Sequence, residues 1–138
     1  MRKMFGILIG CTLLCGLVMA AMLAPQPPPP KPWNIQINLD VDTGGVDTPW
    51  FELSRSAGDT VQWTNNNNFD CTVSFGNKKF LNHRDIAVPH NGQSIVLNAK
   101  DAQAAKQGWP PDKVYDFYKY SVNCGATGYF DPGGGIKP

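Results

Sequence analysis

Residues 58–75 read GDTVQWTNNNNFDCTVSF, two stretches of alternation around a run of four asparagines. Val61 and Trp63 alternate with Thr60, Gln62 and Thr64; Phe69, Cys71, Val73 and Phe75 share one parity, with Thr72 and Ser74 on the other. Successive side chains of a strand point to opposite faces, so each stretch reads as a half-buried β-strand. The asparagines between them read as a turn whose residues tolerate positive φ.

The same period of two recurs on both sides. Ile35, Ile37, Leu39 and Val41 alternate with Asn34, Gln36, Asn38 and Asp40. Ser94–Asn98 (SIVLN) reads as another strand, and Val114–Cys124 as a long one. Turn signals separate these runs: TGG at 43–45, AGD at 57–59, PHNG at 89–92 and WPPD at 109–112. AKDAQAAK, residues 99–106, is the one segment expected to be helical, for about two turns. Many short strands with regular turns predict an all-β fold, a β-sandwich or a Greek-key barrel. GGG at 133–135 reads as a flexible tail, because no helix follows to make it a phosphate cradle.

The first part of the chain has a different character. Arg2 and Lys3 precede an uncharged apolar run from Met4 to Ala24, the layout of a signal peptide over residues 1–20, with Val18-Met19-Ala20 as a small-residue cleavage site. The run is also long enough to serve as an uncleaved membrane anchor over residues 4–24. LIGC, residues 8–11, matches a lipoprotein pattern weakly. Residues 21–32 follow as a Pro-rich linker ending in PQPPPPKP, a stiff extended spacer because proline fixes φ and lacks an N–H. A single domain is then expected over residues 33–138, in the periplasm or secreted, and on a membrane only if the leader stays attached.

Charge excludes one class of partner. The chain carries 12 Lys and Arg against 11 Asp and Glu, a net +1; without Arg2 and Lys3 the balance is ten against eleven. The basic cluster Lys78, Lys79, His83 and Arg84 is short and reads as a solvated loop, so no nucleic acid is expected. The expected partner is a protein or another component of the envelope, of unknown identity.

Of four cysteines, Cys11 and Cys15 lie in the leader, which leaves Cys71 and Cys124. Cys71 has the parity of Val73 and Phe75; Cys124 has that of Tyr118, Tyr120 and Val122. Both sulfurs are therefore expected to point inward. In an oxidising compartment two inward cysteines on different strands are expected to form a disulfide; two separate buried thiols are the alternative. No C-x-x-C spacing marks either as a reactive thiol.

These segments resemble the cupredoxin family, the plastocyanin- and azurin-type blue-copper domains. GDTVQWTNNNNFDCTVSF is similar to that family's strand and turn leading to its first copper-ligand histidine. VYDFYKYSVNCG (114–125) is similar to its penultimate strand, which ends in the copper-ligating cysteine, and AVPHNGQSIVL (87–97) to the turn and strand between. The resemblance spans about residues 33–138 and implies an antiparallel Greek-key β-sandwich. It also implies a type 1 copper site of two histidines, a cysteine and a weak axial ligand.

The departures from that pattern bear on function. Cys71 stands where the resemblance places the first histidine, and Cys124 keeps the cysteine position. After it come Gly125, Ala126, Thr127, Gly128 and Tyr129 in place of a histidine and a methionine. All four methionines (Met1, Met4, Met19, Met22) precede the domain expected over 33–138, and the two histidines, His83 and His90, fall mid-chain in exposed turns. The resemblance thus implies a degenerate copper site at Cys71 and Cys124, with the two bonded to each other, no metal and no cofactor. The expected role is structural or binding, with Asn65–Asp70 and Gly125–Gly135 as candidate contact loops. The alternative is an atypical copper-binding or electron-transfer cupredoxin using both thiolates and a histidine. No catalytic residues are expected: the chain has no Ser-His-Asp order, paired catalytic carboxylates or H-E-x-x-H motif. A thiol–disulfide oxidoreductase is the one enzyme the cysteines suggest, and a buried bridge argues against it.

Overall fold

The structure is a computed structural model that describes residues 26–38, 45–125 and 132–138. The leader and its cleavage site, Leu39 and Val41 of the first predicted strand, and 126–131 of the loop after Cys124 lie outside the described residues. No helix among the described residues is long and apolar enough to cross a membrane.

Among the described residues ten strands appear in chain order: β1 (Pro32–Ile37), β2 (Trp50–Ser54), β3 (Thr60–Asn65), β4 (Cys71–Ser74) and β5 (Asp85–Val88), then β6 (Gly92–Gln93), β7 (Leu97–Asn98), β8 (Asp116–Lys119), β9 (Ser121–Cys124) and β10 (Gly133–Lys137). In one layer β1 lies along β3, and β6 and β7 pair with the other edge of β3. The second layer joins two three-stranded units, β2-β10-β8 and β5-β4-β9. They are continuous through the chain because Tyr120 alone separates β8 from β9. The long strand expected over Val114–Cys124 is therefore two strands, the first paired with β10 and the second with β4.

The all-β class is as the alternation predicts and the sandwich as the resemblance implies, but the sheets are mixed rather than purely antiparallel. β1 runs parallel to β3, and β10 parallel to β2. The reason is the path of the chain. Between β1 and β3 it crosses to the other layer to make β2, and such a crossover returns the chain in the same direction.

Inward parity builds the core. Ile35, Ile37, Phe51, Leu53, Val61, Trp63, Val73, Val88, Val122 and Ile136 are all fully buried. Trp63 is its centre: the rings of Phe51, Phe75, Phe80 and Tyr120 meet it edge-on at 5.7–6.5 Å, the arrangement favoured by the aromatic quadrupole. Phe69 departs from its predicted parity and is 36% exposed, since it lies in the loop before β4 rather than on the strand. Asp59 ties the layers at their edge. Its carboxylate accepts from the backbone N–H of Lys31 (2.7 Å) and of Ser54 (2.8 Å).

Three further expectations are corrected. SIVLN is not a strand throughout: it breaks at 94–96, leaving Ile95 and Val96 more than half exposed. Thr64 pairs with Gln93 and Val61 with Leu97, so four steps on one chain match three on the other. That extra residue is a bulge. Ser94 repairs the gap, its N–H donating to Trp63 O (2.9 Å) and its Oγ accepting from Trp63 N–H (3.0 Å). The helix expected over 99–106 is a 3-10 turn of three residues, Ala99–Asp101. The carbonyls beyond it accept from side chains instead, Ala102 O from Arg55 Nε at 2.9 Å and Gln103 O from Tyr115 Oη at 2.5 Å.

The glycine tail is the third correction. Gly133–Gly135 open β10, a buried central strand hydrogen-bonded on both sides. Here the absence of a Cβ is what packing requires. A Cβ on Gly134 would stand 2.5 Å from the Phe51 ring, and one on Gly133 2.8 Å from the Trp50 ring. Neighbouring rings thus cover both faces of a strand that has no side chains of its own there.

Candidate functional site

β4 and β9 run antiparallel, and the register sets Cys71 opposite Cys124, Val73 opposite Val122. The two sulfurs are bonded at 2.03 Å, with the Cα atoms 4.1 Å apart, close to the spacing of a non-hydrogen-bonded antiparallel pair. Both cysteines are buried. The bridge therefore joins neighbours in one sheet, on the face turned to the core, and does not span the two layers.

The approach to Cys71 is held by Asn65. Its side chain is fully buried and makes four hydrogen bonds. Nδ2 donates to Phe69 O (2.8 Å) and Val88 O (3.1 Å); Oδ1 accepts from the backbone N–H and the side-chain amide of Asn67, each at 2.9 Å. Asn66 reaches back to β1, with its N–H on Ile37 O (3.1 Å) and Nδ2 on Gln36 Oε1 (3.0 Å). The asparagines are thus not a turn chosen for positive φ, which occurs instead at Leu81, Asn82 and Asn91. Asn65, Asn66 and Asn67 are amide bridges that tie this loop to itself, to Val88 and to the end of β1. The lone signal for this in the sequence was the density of amides.

His90 lies at this end too, just past Val88, which pairs with Cys71. Asp70 Oδ1 accepts from His90 N–H at 2.9 Å and meets Nδ1 at 2.8 Å. Those contacts, the backbone N–H foremost and then the ring, hold the Asp70 carboxyl below its usual range. His83 is elsewhere. It closes a hairpin with Phe80, its N–H donating to Phe80 O and its O accepting from Phe80 N–H, both at 2.8 Å, beyond the Ser74 end of β4. The two histidines read alike in the sequence, and the fold brings one of them near the cysteines and leaves the other at the opposite end.

In the core, towards the Ser74 end of β4, lies a buried polar pair without hydrogen-bond partners. Trp63 Nε1 and Tyr120 Oη have no hydrogen bond. Burial pushes the Tyr120 phenol well above its ordinary range, with the nearby Trp63 indole pulling part of the way back. The two groups lie close without meeting hydrogen-bond geometry.

As to chemistry, a type 1 copper takes a thiolate sulfur and two imidazoles. At this end the described residues offer two sulfurs already bonded to each other and one imidazole facing a carboxylate. No group of three or more His, Cys, Asp or Glu side chains among the described residues is arranged to hold a metal. This donor set does not fit such a copper.

No protein-family model and no curated protein matches the chain. Solved structures do. The chain is similar in fold to amicyanin. A copper(I) form of an amicyanin variant matches at 15% identity and a TM-score of 0.47, over 77% of this chain and 82% of that one. Amicyanin from Paracoccus versutus matches at 16% and 0.46, over 80% and 85%. At such scores the likeness carries nothing about function, and the strand pairings above stand on their own.

Proposed function

We propose that the chain is an exported cupredoxin-like sandwich without a type 1 copper site, serving a structural or binding role rather than catalysis or electron transfer. One observation carries the reading: Cys71 and Cys124, the positions the resemblance assigns to copper ligands, are spent on a bond to each other. A disulfide sulfur bears no negative charge and is a poor donor to copper, so the bridge closes the site that a thiolate would open. Neither sulfur is free to attack a substrate.

A binding role falls to the loops at this end. Asn65 fixes the backbone of residues 65–70, while Phe69 and the Asp70–His90 pair stay accessible. A rigid frame that presents an aromatic ring and a polar pair suits recognition of a protein partner. The signal-like layout of residues 1–20 supports a partner in the periplasm or outside the cell.

Copper titration of the purified chain tests this reading, with intact mass recorded before and after reduction. The expected result is a mass two hydrogen atoms below the dithiol form, no thiolate-to-copper absorption band and no stoichiometric metal. A stoichiometric copper complex of the unreduced protein sinks it, as do free thiols at both positions.

A further inference from the structure

At the end of the sandwich opposite the disulfide, a cleft of about 300 Å³ opens between the hairpin at Phe80–His83 and the 3-10 turn at Ala99–Asp101. Its floor is Tyr118, buried on β8. Lys78 Nζ stands 4.1 Å over that ring and donates to Phe117 O (2.7 Å) and to Asp116. The Tyr118 hydroxyl donates to the other oxygen of Asp116. These three side chains neutralise and hold one another, which leaves a polar floor that is already satisfied.

One wall is a two-residue turn, Leu81-Asn82, with φ of 46° and 71°. Turns of this kind need positive φ at both positions, which suits Asn and penalises Leu. Leu81 is nevertheless there, and its side chain is 4% exposed. A backbone held in a disfavoured region persists where its surroundings over-determine it, and such positions cluster at ligand clamps. The facing wall is tied down equally well by the bonds from Arg55 to Ala102 O and from Tyr115 to Gln103 O.

Two charges lining the cleft are not used by the fold. Lys79 and Asp101 are exposed, and neither side chain has a hydrogen bond or ion pair among the described residues. They sit on opposite walls, the lysine on the hairpin and the aspartate on the 3-10 turn. A simple anion would be repelled by Asp101 and a simple cation by Lys79; a ligand carrying both charges satisfies both.

We propose that this cleft binds a small zwitterion, a free α-amino acid. Its carboxylate lies on Lys79, its ammonium on Asp101, and its side chain packs towards Leu81 and Ala102. The volume is at the small end of ligand pockets, as such a ligand needs. This site is separate from the disulfide end, and it stands or falls independently of the copper question.

The test is titration of the full chain with individual L-amino acids to about 10 mM, a range that covers millimolar affinities, followed by backbone amide NMR. Shifts are expected at residues 79–82 and 101–103 for at least one amino acid. For that amino acid, the N-acetyl and the carboxamide derivatives each remove one charge and should each bind about tenfold more weakly or worse. Lys79→Met and Asp101→Asn should do the same; both positions are exposed, and circular dichroism verifies that the variants fold. No saturable shift with any amino acid overturns the proposal. So does equal binding of either blocked derivative, or of acetate alone.

Discussion

Cys124 faces Cys71 in register across two adjacent antiparallel strands, with 4.1 Å between their Cα atoms. The bond closes a loop with a sequence separation of 53, which in the chain-entropy account stabilises the fold by about 4 kcal/mol. The Cys71→Ala/Cys124→Ala double variant should therefore lose about 2–5 kcal/mol in denaturant unfolding. Adding a reductant should destabilise the parent and leave the variant unchanged. If the reductant shifts both alike, the bridge is not what sets the difference.

Gly134→Ala places a methyl 2.5 Å from the Phe51 ring in the core. Overpacking of this kind costs about 1–3 kcal/mol, measured as a drop in unfolding free energy. The cost should shrink in a Phe51→Leu background, where the methyl has room. A cycle with no coupling between the two positions would place the penalty somewhere other than this contact.

Asn65→Ala removes the donor to the carbonyls of Phe69 and Val88 and the acceptor of the Asn67 backbone N–H. Buried groups left without partners cost about 1–3 kcal/mol each, so the variant should lose at least about 2 kcal/mol, partly relieved by water. Asn68→Ala, at an exposed position in the same run, should stay within about 0.5 kcal/mol. Similar losses at both positions would mean the run acts by composition, not through the Asn65 frame.

The Asp70–His90 pair gives a pH signature. The folded carboxyl titrates below its ordinary range, so its contribution to stability is present above about pH 4, the unfolded value, and fades as pH falls through the lower folded value. In carboxyl NMR the Asp70 midpoint should lie under that of a free aspartate. His90→Ala should move it only part of the way back, because the backbone N–H of residue 90, the larger cause, remains. Full return to the free value would assign the whole effect to the ring.

The alternation of Val61 with Trp63, and of Cys71 with Val73 and Phe75, was readable because a strand's inward face repeats every second residue whatever the rest of the fold does. The same parity pointed both cysteines inward. It did not say that they would be neighbours in one sheet, since pairing depends on which strands the chain brings together. Phe69 misled because an alternating pattern does not mark where a strand begins.

Local composition determined the all-β class, the strand faces and the inward cysteines, because those depend on residues two apart. Tertiary structure alone decided the parallel pairings, the conversion of Gly133–Gly135 from a tail into a core strand, and the meeting of Lys78, Asp116 and Tyr118 at a cleft. Each of these depends on surfaces supplied from far along the chain. The rings of Trp50 and Phe51 give a glycine strand its packing, and a lysine finds its carboxylate 38 residues away.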